Sequence, residues 1–458
     1  MSEPRVVVVG GGLAGLAAAL SCADGGARVT LLEARPRLGG ATFSFQREGL
    51  SVDNGQHVFL RCCVAYLRFL DRVGARDRTV LQDRMAIPVL SPGGGTQWLR
   101  RSALPAPLHL AGSLSRYGFL RPAERARAVR AALALARMDP RDPRLDRQTF
   151  GSWLASRGQS PAAVDALWNL IALPTLNLPA DQASLALAVK VFRTGLLEHR
   201  DSADIGYARV PLSEVHAEPA ARALAEAGAE IRLRAAVRRI RPAGSGLEAG
   251  GKGFEVETEV DRVEADAVVV AVPHDRTAEV LPAGAVPDGA AIASLGSSPI
   301  VNVHVVYDRR VMDLPFAAGL GTPVQWVFDR TEHSGLDRGQ YLAVSVSGAD
   351  REIAEPTADL RDRFLPALAS LFPRAREAGI ERFFVTREPH ATFRQAPGSG
   401  ALRPVTRTAL PGLFLAGAWT DTGWPATMEG AVRSGLAAAR EALVSVGRTR
   451  RLPEVVAA

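Results

Sequence analysis

The chain has 458 residues, 47% of them apolar and 22% charged, enough to bury a large core, which excludes a disordered or fibrous protein. Its three cysteines, Cys22, Cys62 and Cys63, cannot build a disulfide framework, and no cysteine or histidine cluster has zinc spacing, so a reducing, cytoplasmic setting without a metal is expected. The net charge of +7 is almost all arginine, since Lys190 and Lys252 are the only lysines; because the arginines are scattered among carboxylates, a nucleic-acid surface is not expected. At roughly 150 residues per domain, the length alone predicts about three domains.

The start, MSEPRVVVV, has no basic segment ahead of an apolar run and no cleavage site, so it does not read as a secretory signal. Arg5–Val9 predicts a strand buried on both faces. Gly10, Gly12 and Gly15 follow as G-x-G-x-x-G and open a helix to about Ala23. The glycines permit a tight turn and a close approach of backbone N–H groups to a pyrophosphate, and the helix N-terminus favours the anion. A second strand, Arg28 to Leu32, ends at Glu33, 18 residues after Gly15, where a carboxylate can accept from ribose hydroxyls.

Further on, Glu230 to Ile240 predicts a strand and hairpin with Phe254 to Val260, and Ala265 to Pro273 a second buried strand. Ile300–Tyr307 and Tyr341–Ser347 predict alternating strands, Ala358–Leu371 a helix, Gly412–Ala416 a short strand, and Thr427 to Val444 the last helix. The segment between about Ala75 and Ile205 is rich in Leu and Ala and reads as helical. Within it, Ser102–Met138 mixes Leu110, Leu114, Tyr117 and Leu120 with arginines. That composition suits either a membrane-surface segment or an amphipathic pair packed on the core.

The run Glu33-Ala34-Arg35-Pro36-Arg37-Leu38-Gly39-Gly40 resembles the extended dinucleotide motif of the FAD-dependent amine oxidase and phytoene desaturase superfamily. Asp53-Asn-Gly-Gln-His57, Ala172–Ser184 (ALPTLNLPADQAS), Ser298–His304 (SPIVNVH) and Leu415–Gly435 (LAGAWTDTGWPATMEGAVRSG) resemble one branch of it, the squalene-associated FAD-dependent desaturases. The resemblance runs nearly end to end. It implies an α/β fold in which a Rossmann-type FAD-binding domain (1–74, 205–273 and 405–445) is interleaved with an α+β substrate domain (75–204 and 274–404), followed by a tail at 446–458.

It also implies FAD contacts at Gly10, Gly12, Leu13, Ala14, Gly15, Glu33, Ala34, Arg37, Gly39, Gly40, Ala41, Gly55, Gln56, His57, Val237, Gly417, Asp421, Thr427 and Met428. Ala418 stands where the branch often has an acid, and Asp421 is the substitute expected to meet the ribityl chain. The implied reaction is reductive removal of the allylic hydroxyl of hydroxysqualene within squalene and hopanoid biosynthesis, with oxidative polyprenoid desaturation as the alternative. An amine oxidase or a polyprenoid carrier fits less well. The protein then handles a polyprenoid substrate, with peripheral contact at the inner face of a membrane as one reading; the electron donor is not legible.

His57, with Asp53, is the candidate catalytic pair. Histidine carries a proton near neutral pH and so suits an acid for the leaving hydroxyl, while the alternative is that both residues hold their loop by hydrogen bonds. His304 on its strand reads as either substrate-facing or structural. Glu429 reads as tuning a flavin or capping a helix.

Overall fold

The computed structural model describes residues 3–93, 95–243 and 253–449. Lys252 and the 450–458 part of the expected tail lie outside the described residues. The valine-rich runs pair as a five-stranded parallel sheet in the order Glu230–Leu233, Arg28–Glu33, Arg5–Val9, Ala267–Val270, Leu413–Leu415. Val6 to Val9 and Val268 to Val270 are at most 2% exposed, the burial that β-branched residues covered on both faces require. Helix Leu13–Asp24 lies on this sheet and crosses the last helix, Met428–Ser445, at touching distance: a Cβ on Gly435 would stand 2.1 Å from the Ala14 carbonyl oxygen.

The expected strand from Glu230 to Ile240 divides. Glu230–Leu233 joins the parallel sheet, Arg234 turns the chain at φ +56°, and Val237–Pro242 enters a separate antiparallel sheet with Phe254–Thr258 and Arg262–Ala265. One apolar run feeds two sheets, because the backbone bonds of Arg234 and Ala235 go back to the Arg35 and Glu33 carbonyls.

A seven-stranded sheet forms from Ile380–Phe393, Ser297–Tyr307, Gln340–Ser347, Trp326–Asp329, Phe316–Gly319, Ala86–Ser91 and Gly95–Arg100, in that spatial order. All its pairs are antiparallel except Phe316–Gly319 with Ala86–Ser91. The last two strands form a hairpin inside the region expected to be helical. The helices of that region, among them Pro122–Leu135, Phe150–Ser156 and Leu185–Phe192, share a core built on Phe150, Trp168 and Phe192.

In the Leu- and Arg-rich stretch the four apolar residues singled out follow the core-packed reading. Tyr117 and Leu120 are each 1% exposed, and the Tyr117 hydroxyl donates to the Ala166 carbonyl at 2.8 Å, while Leu110 and Leu114 pack partly against the same core. These four residues face inward. The apolar side chains in solvent are instead Leu104 and Leu108 on the preceding turn and Val129 and Leu133 on helix Pro122–Leu135.

Candidate active site

The strands ending at Val9, Glu33, Val270 and Leu415 finish at one edge of the parallel sheet, the edge at which open α/β sheets take their ligands. Gly10 sits at φ +106°, where a Cβ would meet the Ala271 carbonyl oxygen at 2.5 Å, and a Cβ on Gly15 would overlap the Gly10 carbonyl oxygen. Gly12 caps helix Leu13–Asp24 with no side-chain bond, and a Cβ there would meet only the Gly40 Cα, at 3.7 Å. The first-turn residues Leu13 and Ala14 bury their side chains, so the helix presents backbone N–H groups and positive dipole at this edge. Glu33 is 8% exposed. Its Oε2 accepts from Gly11 N at 2.6 Å and its Oε1 from Arg35 N at 2.7 Å, and each oxygen keeps a further lone pair for a ribose hydroxyl.

The second glycine pair is layered on the first. Gly39 N donates to the Gly11 carbonyl at 2.9 Å, and a Cβ on Gly40 would stand 2.7 Å from the Gly12 Cα. Arg37 bonds the Gly40 carbonyl at 3.2 Å and lies 3.3 Å over the Phe43 ring, with burial lowering its pKa. Ala34 and Ala41 are exposed beside them, and Val237 is half-buried just past the turn tied to Glu33. The two glycine layers and the buried carboxylate fit the diphosphate and ribose of FAD: the close approaches leave no room for side chains, and the uncapped N–H groups suit an anion.

The Asp53–His57 loop attaches directly to this cradle. Asn54 copies an extra strand pairing: its backbone N donates to the Phe43 carbonyl, its Oδ1 accepts from Phe43 N, and its Nδ2 donates to the Ala41 carbonyl at 2.9 Å. Asp53 is clamped by Arg330, whose guanidinium meets Oδ2 at 2.6 Å, and its Oδ1 accepts from Ser44 Oγ and Leu212 N. Arg330, at the end of strand Trp326–Asp329, carries no motif and was not legible from sequence. A cleft between them is lined by Asp53, Gln56, His57, Tyr207, Phe328 and Arg330, so the structure brings the candidate catalytic pair together around one space.

His57 donates from Nδ1 to the Gly55 carbonyl at 3.2 Å, and burial, with Arg330 adding to it, pulls its pKa below the usual histidine value. A neutral ring bonded in this way presents Nε2 as an acceptor. That favours the loop-holding role of His57 over the acid role.

His304 is structural in its contacts. Its Nδ1 meets the Tyr341 hydroxyl at 2.7 Å, its Nε2 meets Thr386 Oγ1 at 3.0 Å, and its ring stacks on Phe384 at 4.5 Å. Burial takes its pKa down to about 3. On the same strand Asn302 Nδ2 holds the Asn54 carbonyl at 3.0 Å, so the seven-stranded sheet supports the loop from behind.

The C-terminal turn forms the third part. Gly417 lies at φ +146°, where a Cβ would clash with the Trp419 ring, and its N donates to Ser434 Oγ at 2.8 Å. Thr427 caps the last helix by accepting from Gly430 N, with half-buried Met428 next to it. Asp421 is exposed, and its carboxylate accepts from Gly423 N at 3.3 Å, so it points into a surface turn. Glu429 does cap a helix, but a distant one, accepting from Ala65 N and Tyr66 N at the start of Val64–Val73. Arg403 organises the turn by donating to the carbonyls of Thr420 and Trp424, and burial lowers its pKa to about 10.

Residues 13–443 match the model of the flavin containing amine oxidoreductases. The chain belongs to that family. It is an FAD-dependent oxidoreductase. The flavin oxidoreductase is 30% identical to a hydroxysqualene dehydroxylase of Rhodopseudomonas palustris over 97% of this chain and 99% of that one. It is 26% identical to a probable zeta-carotene desaturase of Synechococcus elongatus, over 96% and 98% of the two chains. Among solved structures, cyclohexylamine oxidase from Brevibacterium oxydans shares the fold at a TM-score of 0.70 with 20% identity, covering 96% of this chain and 99% of that one.

Proposed function

We propose that this oxidoreductase removes an allylic hydroxyl reductively, converting hydroxysqualene and reduced flavin to squalene, water and oxidised flavin. The observation that supports this reading is the end-to-end relation to hydroxysqualene dehydroxylases at 27–30% identity. In this reading the five-stranded sheet belongs to the interleaved flavin domain and the seven-stranded sheet with its helices to the substrate domain. Bound FAD, in its reduced form, supplies the two electrons and the hydrogen that the carbon gains.

The chain's own residues position and shield. The Gly10–Gly15 and Gly39–Gly40 layers and Glu33 would hold the dinucleotide, and the Gly55–His57 loop is fixed beside that cradle by Asp53, Asn54 and Asn302. Phe328, Leu212 and Pro315 line the cleft with apolar surface that excludes water, while Asp53 neutralises Arg330 there. An oxidative desaturase is the second reading, favoured by carotene desaturase relatives aligned over 94–96% of this chain. Anaerobic mixing of the photoreduced enzyme with hydroxysqualene decides between them: flavin reoxidation with squalene formed is the expected result. No reoxidation, together with flavin reduction by a more saturated polyprenoid, supports the desaturase.

No helix among the described residues is long and apolar enough to cross a membrane. We infer peripheral contact through Leu104 and Leu108, which are 52% and 56% exposed and have exposed Arg100 and Arg116 on the same segment. Anionic vesicles are expected to carry the protein upward on flotation at low salt and to lose it when both leucines are replaced by serine. Flotation unaffected by that change would assign the contact elsewhere, and no flotation of the unchanged protein would remove it.

A further inference from the structure

Lys190 is a buried cation set against an aromatic ring. It stands on helix Leu185–Phe192, is 7% exposed, and neither pairs with a carboxylate nor donates a hydrogen bond among the described residues. Its Nζ lies 4.8 Å from the centre of the Trp424 ring, and the Arg433 guanidinium lies 4.6 Å from the same ring. Arg433 is ion-paired to Glu429, so its charge is already matched. Trp424 Nε1 is also buried and, among the described residues, has no hydrogen-bond partner.

Among the described residues neither the Lys190 ammonium nor the Trp424 indole N–H has a hydrogen-bond acceptor, and both side chains lie in the seam between a helix of the expected substrate domain and the turn that leads into the Thr427-capped helix. An ammonium and an indole N–H call for an oxygen acceptor. An allylic alcohol brings one and the hydrocarbon product does not.

We propose that the Lys190 ammonium is the proton donor to the leaving hydroxyl, with Trp424 beside it; this rests on the dehydroxylase reading. In the step, an Nζ–H bond breaks as an O–H bond forms, and the C–O bond breaks with its electron pair leaving as water. The allylic carbon takes hydride from the reduced flavin, and the neutral amine recovers its proton from solvent. Proton transfer moves the positive charge from nitrogen to the allylic system instead of adding a second charge, and the Trp424 face lies where that cation would be stabilised. Burial and the Arg433 charge lower the Lys190 pKa, while Glu198 and Cys62 act in the opposite sense and Arg141 adds to the lowering. A lowered ammonium is a stronger acid near neutral pH.

The test compares the wild type with Lys190→Met and Lys190→Arg, all loaded with FAD. Lys190→Met is expected to keep its FAD occupancy and to lose about 100-fold or more in turnover of hydroxysqualene. With the allylic fluoride in place of the alcohol, whose leaving group needs little proton assistance, the loss shrinks to a few-fold. In the oxidised enzymes, flavin difference spectra are expected to show that the wild type prefers the alcohol over squalene and that Lys190→Met has lost the preference. The wild-type rate falls as pH rises through the lowered lysine value, and Lys190→Arg loses that limb. Equal losses with alcohol and fluoride, or an unchanged alcohol preference in Lys190→Met, overturn the assignment. A wild type inert toward the alcohol removes the dehydroxylase reading itself, and the proposal with it.

Discussion

Replacing Arg330 with methionine is expected to destabilise the protein by about 3–5 kcal/mol, because it leaves the Asp53 carboxylate buried without its counter-charge. The two side chains are 10% and 5% exposed and meet at 2.6 Å, so solvent screens the pair little. Ser44 and Leu212 still donate to Asp53 in the variant, but neither carries charge. The double change Asp53→Asn with Arg330→Met removes both charges, and is expected to recover a good part of the loss. Denaturant unfolding of the two variants beside the wild type checks this. Equal stabilities of wild type and Arg330→Met would mean that the pair contributes nothing. Since Arg330 reaches from the seven-stranded sheet to the loop holding Gly55 and His57, the single variant is also expected to bind FAD more weakly.

Glu33→Ala is expected to purify with little flavin and to bind added FAD at least about 10-fold more weakly. A hydrogen bond to a charged group contributes about 1.5–3 kcal/mol, and 1.4 kcal/mol is a factor of ten. The change removes the acceptor for Gly11 N and Arg35 N, so the glycine loop loses the carboxylate that fixes its shape, and the ribose loses its partner. Glu33→Gln is expected to fall between, because one amide oxygen can serve one of the two N–H groups while its NH₂ faces the other. Flavin fluorescence quenching on titrating apoprotein measures both, and unaltered far-UV circular dichroism separates a binding defect from unfolding. Wild-type affinity in Glu33→Ala would place the ribose contact on another residue.

The nucleotide half of the site was legible because its physics is local. A strand, a glycine turn, a helix N-terminus and an acid at fixed spacing lie within the first 40 residues, and the structure assembles them at one sheet edge. The final helix was legible for the same reason, though its Thr427 cap was not read from the sequence. The Ala86–Ser91 hairpin was not, since its alternation is interrupted by proline and glycine in a Leu- and Ala-rich region. The division of Glu230–Pro242 between two sheets rests on a single positive φ at a non-glycine residue, Arg234, which carries no sequence signal. Asp421 was read as a ribityl partner from its nearness in sequence to Gly417, yet the turn folds its carboxylate outward. Glu429 was read as tuning a flavin or capping a helix, and it caps one by accepting from Ala65 N, 364 positions earlier.

The sequence by itself determined that the chain binds a dinucleotide and resembles polyprenoid-handling flavoenzymes. Only the tertiary structure decided which charges are buried and what they face. Arg330 against Asp53, Arg403 among the carbonyls of its turn, and Lys190 against Trp424 join residues 15 to 277 positions apart. The physical reason is that desolvation depends on every element packed around a side chain. Of the scattered arginines most remain at the surface, and the few taken into the interior, with one lysine, are where the chemistry of this oxidoreductase is to be tested.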